Sequence, residues 1–246
     1  MKNKLQKIET FYNSNADDIE KDIQSSSYRY TLHLLQNKLC QIYDINKSIS
    51  KLKKDVYSMS ILQRVIIEHY LKFFYSIIQT EKIKDDFVGI SYYFIYLKSE
   101  EIKMDNYANK INNIKNKTNF KLNELDGQFS KLTQAEIDKV NSIGNVFTKL
   151  DEISKRLIEY SDENKSTRNK IIVNIELLEF YNILSSYVHG GPYAENEINN
   201  KLSNQEALDK RIAKIISISN TLTYCSFYFF FDFLNKHTDN KYKINQ

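Results

Sequence analysis

The sequence predicts an all-α protein, and three observations carry that prediction. The 246-residue chain has only five glycines and one proline, too few for the tight turns of a many-stranded sheet. Apolar residues recur every three or four positions over long stretches, which is the period of a helix. The 18 tyrosines and 14 phenylalanines supply the bulk of a buried core. We expect a single helical-bundle domain over residues 1–246, built from about six to eight helices.

The helices can be placed in order along the chain. Residues 1–25 are polar and predict a loose or short helical lead-in. Residues 116–146, which contain Gly127 and Gly144, are polar and predict an insertion or a mobile arm. Helical periodicity elsewhere predicts helices over 28–48, 56–80, 148–164, 167–189 and 204–235, with one or two more in 85–115.

Charge and cysteine usage restrict the class of protein. The net charge of +4 permits a polyanionic partner, but no run of basic residues forms a binding stripe. Cys40 and Cys225 lie in apolar helical contexts without disulfide or zinc spacing, so we expect both to be reduced core residues. The first 15 residues lack the apolar segment of a signal peptide. These features predict a cytoplasmic protein.

One uncharged stretch raises the question of a membrane. Residues 215–231, between Lys214 and Asp232, contain no charge but include several Ser, Thr and Asn. The stretch is shorter than the ~20 apolar residues that a spanning helix needs. It therefore predicts a buried core helix, and we expect no membrane partner.

The helix over 56–80 is apolar nearly all round but carries one polar line. On a wheel of about 100° per residue, Glu68 falls about 40° from Arg64, whereas His69 falls about 140° away. Burying two charges is costly, so this line indicates either an ion pair that only satisfies the core or a functional site. His69 faces elsewhere, and an ordinary packed histidine is the simpler interpretation.

The helix that approaches "SSYVHGGPY" (185–193) carries a second polar line. We expect Gly190 to end this helix in the left-handed conformation and Pro192 to block its restart. Buried polar groups need partners, so the two polar lines are predicted to face each other, with His189 meeting Arg64 and Glu68. The second line comprises Glu179, Asn182, Ser185, Ser186 and His189. No metal-ligand spacing, Gly-rich phosphate loop or Gly-x-Ser-x-Gly elbow is present, so we expect neither metal nor cofactor.

Two segments, "QRVIIEHYLKFFYS" and "FYNILSSYVHGGPY", resemble a bacterial all-helical family. That family shows Arg-x-x-x-Glu on one helix, matched by Arg64 and Glu68, and Tyr-x-x-x-Ser-x-x-x-His on a second, matched by Tyr181, Ser185 and His189. The group is similar to the HEPN superfamily. The resemblance implies a HEPN-like helical fold, a homodimer and a metal-independent ribonuclease of a toxin–antitoxin or antiphage-defence system.

HEPN ribonucleases also carry Arg-x(4–6)-His, which Arg64 and His69 satisfy by count. The family usually has a polar residue after the Arg, and here that position is Val65. His189 is therefore the first candidate for the catalytic histidine and His69 the second.

Three functions remain open at this point. In the first, His189 is a general acid or base in RNA cleavage, Arg64 stabilises phosphorane charge and Glu68 orients the guanidinium. Ser185, Tyr181 and Asn182 would support them, and Tyr187, Tyr193 or lysines would hold bases or phosphates. In the second, the chain is a non-enzymatic interaction or sensor module that binds a phage component or a partner protein such as an antitoxin or another defence protein. In the third, a membrane-disrupting toxin uses residues 215–231.

Overall fold

The computed structural model describes residues 2–52, 54–97, 100, 103–104, 107–108, 110, 132–163, 175–239 and 241–243. All regular secondary structure in these residues is helical, which confirms the all-α prediction. The helices are α1 Lys2–Ser14, α2 Ala16–Ser25, α3 Arg29–Lys51, α4 Val56–Ile83, α5 Phe87–Ser91, α6 Gln134–Val146, α7 Leu150–Glu163, α8 Ile175–Val188, α9 Pro192–Asn196 and α10 Gln205–His237. π-helical turns extend α5 over Tyr92–Leu97 and α9 over Glu197–Lys201.

These ten helices within the described residues exceed the six to eight predicted. The lead-in forms two helices, and α5 and α9 are too short to show periodicity. Side-chain caps explain several of the starts. Asp55 accepts a hydrogen bond from the Ser58 amide at α4, and Asn204 accepts one from the Glu206 amide at α10. Such caps satisfy amides that have no partner within the helix.

Helix α4 is the centre of the fold. It packs against α3, α7, α8 and α10, which leaves few of its faces in contact with water. Its buried side chains come from every side of the helix, as its uninterrupted apolar sequence predicts. They include Met59, Ile66, Ile67, Tyr70, Leu71, Phe73, Phe74 and Tyr75.

The uncharged stretch 215–231 lies inside α10 and belongs to the core. Phe227, Phe230 and Phe231 are buried, and Phe11 and Tyr12 of α1 meet their rings edge-on. Among the residues that the structure describes, no helix is long and apolar enough to cross a membrane.

The predicted arm over 116–146 is helical in its last part. Residues 134–146 form α6, which packs on α5 and the π turn that follows it. Val140 and Ile143 are buried, and Gly144 lies against the side chain of Ile95. Residues 116–131 lie outside the described residues, so the arm stays a prediction there.

The prediction that both cysteines are core residues is wrong for Cys40. Its side chain is exposed, whereas Cys225 is half-buried, and neither thiol forms a disulfide bond. The core-facing positions of α3 are Leu35, Leu39 and Ile42, and Cys40 follows Leu39 by one residue, about 100° around the helix.

Helix α5 approaches the start of α3 so closely that only glycine fits at position 89. A methyl group on Gly89 would overlap the backbone of Tyr30 and Thr31. The Asp86 carboxylate, which precedes α5, accepts hydrogen bonds from the amides of the same two residues at 2.8 and 2.7 Å. The carboxylate thereby caps α3 and fixes α5 against it.

Gly89→Ala is therefore expected to lower the free energy of unfolding by about 2–3 kcal/mol, because the two backbones must separate. Urea denaturation followed by circular dichroism measures this loss. Gly190→Ala is the control, since nothing lies within 4 Å of the added carbon and only its positive φ of 59° is strained. That control should cost about 1 kcal/mol. Equal stability of Gly89→Ala and the wild type would contradict the close packing of α5.

Candidate functional site

The Arg64 guanidinium of α4 meets Ser185, one residue of the predicted polar line of α8, and Tyr181 on the same helix. Its Nη2 contacts Glu68 Oε1 at 2.8 Å and donates to the Tyr181 hydroxyl at 2.9 Å. Its Nε donates to Ser185 Oγ at 3.2 Å. The Tyr181 hydroxyl in turn donates to Glu68 Oε1 at 2.8 Å. We call these four residues the Arg64 cluster.

Helical spacing explains why these four residues converge. Arg64 and Glu68 are one turn apart on α4, and Tyr181 and Ser185 are one turn apart on α8. Burial and the adjacent Glu68 carboxylate raise the pKa of Tyr181 to about 12. The phenol is therefore protonated at neutral pH and donates to Glu68 while it accepts from Arg64. Each member of the cluster thus fixes the orientation of another.

The Arg64 cluster is partly open to water. The Arg64 side chain is 18 % exposed and that of Glu68 is 27 % exposed. The guanidinium also lies over the Tyr181 ring, 5.0 Å from its centroid, which adds a cation–π contact. Within the described residues Nη1 has no hydrogen-bond partner, so it is free to donate to a ligand.

His189 lies one turn beyond Ser185 on the same line of α8. Its amide donates to the Ser185 carbonyl at 3.3 Å, so the helical path continues to this residue. Its side chain is exposed and, within the described part of the chain, forms no hydrogen bond or ion pair. The predicted direct contact of His189 with Arg64 and Glu68 is therefore not formed, because a full helical turn separates the imidazole from Ser185.

The glycine pair ends α8 directly after His189. Gly190 has a φ of +59°, as predicted, and the Gly191 amide donates to the Ser186 carbonyl at 2.8 Å. This is the Schellman arrangement for a helix end. The prediction that Pro192 blocks a restart is wrong, because Pro192 is the first residue of α9. A proline is tolerated there, since the first amide of a helix needs no partner within it.

Asn182 lies outside the Arg64 cluster. It is exposed and, with Tyr181, faces a cleft of about 440 Å³ between α8 and α7. Ser154 and Lys155 of α7 line the opposite wall. The cleft therefore gives a ligand room beside the cluster.

His69 points away from Arg64, as the helical wheel predicts. Its Nδ1 lies 3.3 Å from Lys38 Nζ on α3. Burial lowers the pKa of His69 to about 3, and the charges of Lys38 and Lys72 act in the same direction. The imidazole is consequently neutral at physiological pH.

The pKa of His69 predicts a specific acid sensitivity. The unfolded chain binds a proton at His69 near pH 6.5 but the folded chain only near pH 3, so the free energy of unfolding falls as the pH drops through this window. His69→Gln should flatten the decline. Urea midpoints measured from about pH 8 down to about pH 4 test this. At pH 8 the His69 imidazole is neutral in both the folded and the unfolded chain. Identical slopes for the two proteins would contradict the buried neutral histidine.

Sequence reasoning missed a second buried cluster on α8. The Tyr187 hydroxyl donates to Glu197 Oε2 at 2.7 Å, and Arg211 Nη2 lies 3.7 Å from the same oxygen. Tyr187 is fully buried, so the suggestion that it holds a base is wrong. No spacing rule links Glu197 to Arg211, because they lie on different helical elements joined only by tertiary packing.

Comparisons with known proteins give no relative: no family model, curated protein or solved structure matches the chain. Within the described residues, no group of three or more His, Cys, Asp or Glu side chains is arranged to hold a metal ion.

Proposed function

We propose that the protein is a HEPN-like, metal-independent ribonuclease that acts as a toxin or antiphage-defence effector. The observation that supports this proposal is the relation between Arg64 and His189. Three side chains fix the Arg64 guanidinium and, in the described part of the chain, leave its Nη1 free. The exposed imidazole of His189 lies one turn beyond Ser185 on α8, the helix that contacts this guanidinium. This combination supplies a charged anchor and a proton carrier without a metal.

Arg64 would bind the scissile phosphate. Its Nη1 donates to a non-bridging oxygen and neutralises the charge that develops on the pentacovalent phosphorus. Glu68, Tyr181 and Ser185 hold the other guanidinium nitrogens and so restrict its rotation. They act as positioning residues, since they contact Arg64 rather than RNA.

His189 would move the proton. The ribose 2′-oxygen attacks the adjacent phosphorus, the bond to the 5′-oxygen breaks, and the products are a 2′,3′-cyclic phosphate and a 5′-hydroxyl. The imidazole takes the proton from the 2′-hydroxyl or gives one to the departing 5′-oxygen. Exposure of the imidazole suits it to meet a polymer at the surface. His69, which is turned toward α3, has no role in this mechanism.

The proposed protein partners rest only on the resemblance to the HEPN superfamily. A HEPN-like effector would form a homodimer and would be restrained by an antitoxin or another defence protein. Single-stranded RNA is the expected substrate, because its bases can reach the exposed ring of Tyr193 beside the helix end.

The first test is incubation of purified protein with total RNA in EDTA. We expect time-dependent cleavage that is absent from His189→Ala and retained by His69→Ala. Cleavage that all three proteins show equally would reveal a contaminating nuclease and contradict the assignment of His189.

An interaction module is the second candidate, and a surface next to the site favours it. Tyr57, Val188 and Tyr193 are 40 %, 37 % and 42 % exposed, and all three lie near the end of α8. The Tyr57 hydroxyl donates to the Tyr187 carbonyl at 2.7 Å, which fixes this residue beside α8. Exposed aromatic side chains are typical of protein interfaces. A cellular phenotype that survives His189→Ala but is lost in Tyr193→Ser would select this function over RNA cleavage.

A further inference from the structure

Lys38 is a buried lysine on the core-facing side of α3. Lys38 is only 4 % exposed, and its neighbours along the helix are the buried residues Leu34, Leu35, Leu39 and Ile42. Its Nζ donates to Gln41 Oε1 at 2.9 Å and lies 3.3 Å from His69 Nδ1. Both partners are neutral, which leaves the ammonium without a counter-charge.

A second ammonium lies on the facing side of α4. Lys72 Nζ donates to the Tyr96 hydroxyl at 2.8 Å and lies 4.5 Å from the centroid of that ring. Lys38 Nζ lies 5.1 Å from the Tyr92 ring centroid. Tyr92 and Tyr96 both belong to the π-helical turn after α5, a form of backbone that is frequent at functional sites.

No carboxylate in the described residues forms an ion pair with Lys38 or Lys72. The charged and titratable groups here are the two lysines from α3 and α4, His69 from α4, and the phenols of Tyr92 and Tyr96. Buried cations are normally paired with an anion. This excess of positive charge is a specific departure from that rule.

The protonation behaviour of Lys38 agrees with an unpaired cation. Burial, together with the Lys72 charge, lowers the pKa of Lys38 to about 7. An anion placed between the two amines would reverse the repulsion and favour the charged form of Lys38. Binding of an anion here is therefore expected to be coupled to the uptake of a proton by Lys38.

We propose that Lys38, His69 and Lys72 form a binding site for a doubly charged oxyanion, the phosphate of a phosphomonoester. The two ammonium groups would provide the charge, and the imidazole of His69 would donate one hydrogen bond. The half-buried ring of Tyr96 would accept a base stacked next to that phosphate, whereas Tyr92 is buried and its ring packs against Phe147. This site is separate from the Arg64 cluster, because His69 contacts α3 and Lys72 contacts the π-helical turn after α5, whereas Arg64 contacts α8.

Calorimetric titration tests the proposal with sulfate as the first probe, because its charge does not change near neutral pH. The wild type should bind sulfate saturably at constant ionic strength. Lys72→Gln should weaken binding at least about tenfold, since one of two charges is lost. This variant is preferred over changes at Lys38, which is buried. Lys47→Gln is the matched control: it removes a lysine of α3 that lies over the Tyr43 ring but is already paired with Glu9.

The pH dependence gives an independent measurement. Sulfate should bind about tenfold more tightly at pH 6 than at pH 8, because Lys38 loses its proton over this range. Titrations in two buffers of different ionisation enthalpy should reveal proton uptake near pH 7. Both effects report on Lys38 without a substitution that risks unfolding the chain.

Parallel titrations with phosphate and adenosine monophosphate show whether the site binds a free oxyanion or the phosphate of a nucleotide. Tighter binding of the nucleotide than of phosphate would assign the Tyr96 ring to the base, and equal binding would assign the site to a free oxyanion. No saturable sulfate binding by the wild type would overturn the proposal. Equal loss in Lys72→Gln and Lys47→Gln would overturn it too, since binding would then reflect net charge. RNA cleavage by His189 stands or falls separately.

Discussion

Replacing His189 by alanine is expected to slow RNA cleavage by about 10²–10⁴-fold, the usual contribution of a general acid or base. The fold should survive, because the side chain is exposed and has no hydrogen-bond partner in the described residues. We therefore expect a change in the free energy of unfolding of no more than about 0.5 kcal/mol. Initial cleavage rates and urea denaturation of the same preparations separate the two effects.

His69→Ala is the matched control for this experiment, since it removes the other histidine of the two candidates. It should retain most of the activity, because His69 contacts Lys38 rather than the Arg64 cluster. If His69→Ala abolishes cleavage and His189→Ala does not, the Arg64–His69 pair is the catalytic one and our assignment is wrong. If neither substitution changes a cellular phenotype, the interaction module is the better function.

Replacing Arg64 by alanine is expected to lower the free energy of unfolding by about 2–4 kcal/mol. The substitution leaves the Glu68 carboxylate without its cation and removes hydrogen bonds to Tyr181 and Ser185. The carboxylate is partly exposed, so the loss should fall below that of a fully buried charge. Chemical denaturation measures it, and cleavage should be lost at the same time.

The double variant Arg64→Met/Glu68→Met tests the cause of this loss. It removes both charges and keeps apolar volume on α4, so we expect it to be more stable than Arg64→Ala. Its RNA cleavage should remain absent, because the phosphate-binding group is missing. A double variant as unstable as Arg64→Ala would show that packing, not the unpaired carboxylate, determines the stability of the site.

Helical period alone predicted the main elements. The bounds of α3, α4 and α10 fall within one turn of those expected, because each helix is long and carries apolar residues on a fixed period. The same period placed Arg64 and Glu68 on one line of α4 and Ser185 on the polar line of α8, and the need of buried polar groups for partners predicted that these lines face each other. Tyr181, which contacts both Arg64 and Glu68, was not part of that line and was indicated only by the family resemblance.

The remaining features depend on tertiary contacts that period does not encode. His189 shares the line of Ser185 but lies one turn farther along α8, and a helical wheel shows direction around the axis without the distance along it. The pairing of Glu197 with Arg211 joins elements with no common spacing. Lys38 had a usable signal, because a lysine among Leu35, Leu39 and Ile42 occupies a core position of an amphipathic helix.

Cleavage of one defined single-stranded RNA in EDTA, compared with its all-2′-deoxy analogue, tests the proposed ribonuclease most directly. The mechanism requires the 2′-hydroxyl and no metal, so the RNA should be cut and the analogue should remain intact. End-group analysis by mass spectrometry should find 2′,3′-cyclic phosphates and 5′-hydroxyls. An uncut RNA, equal cutting of the analogue, or 3′-hydroxyl products would contradict a ribonuclease built on Arg64 and His189.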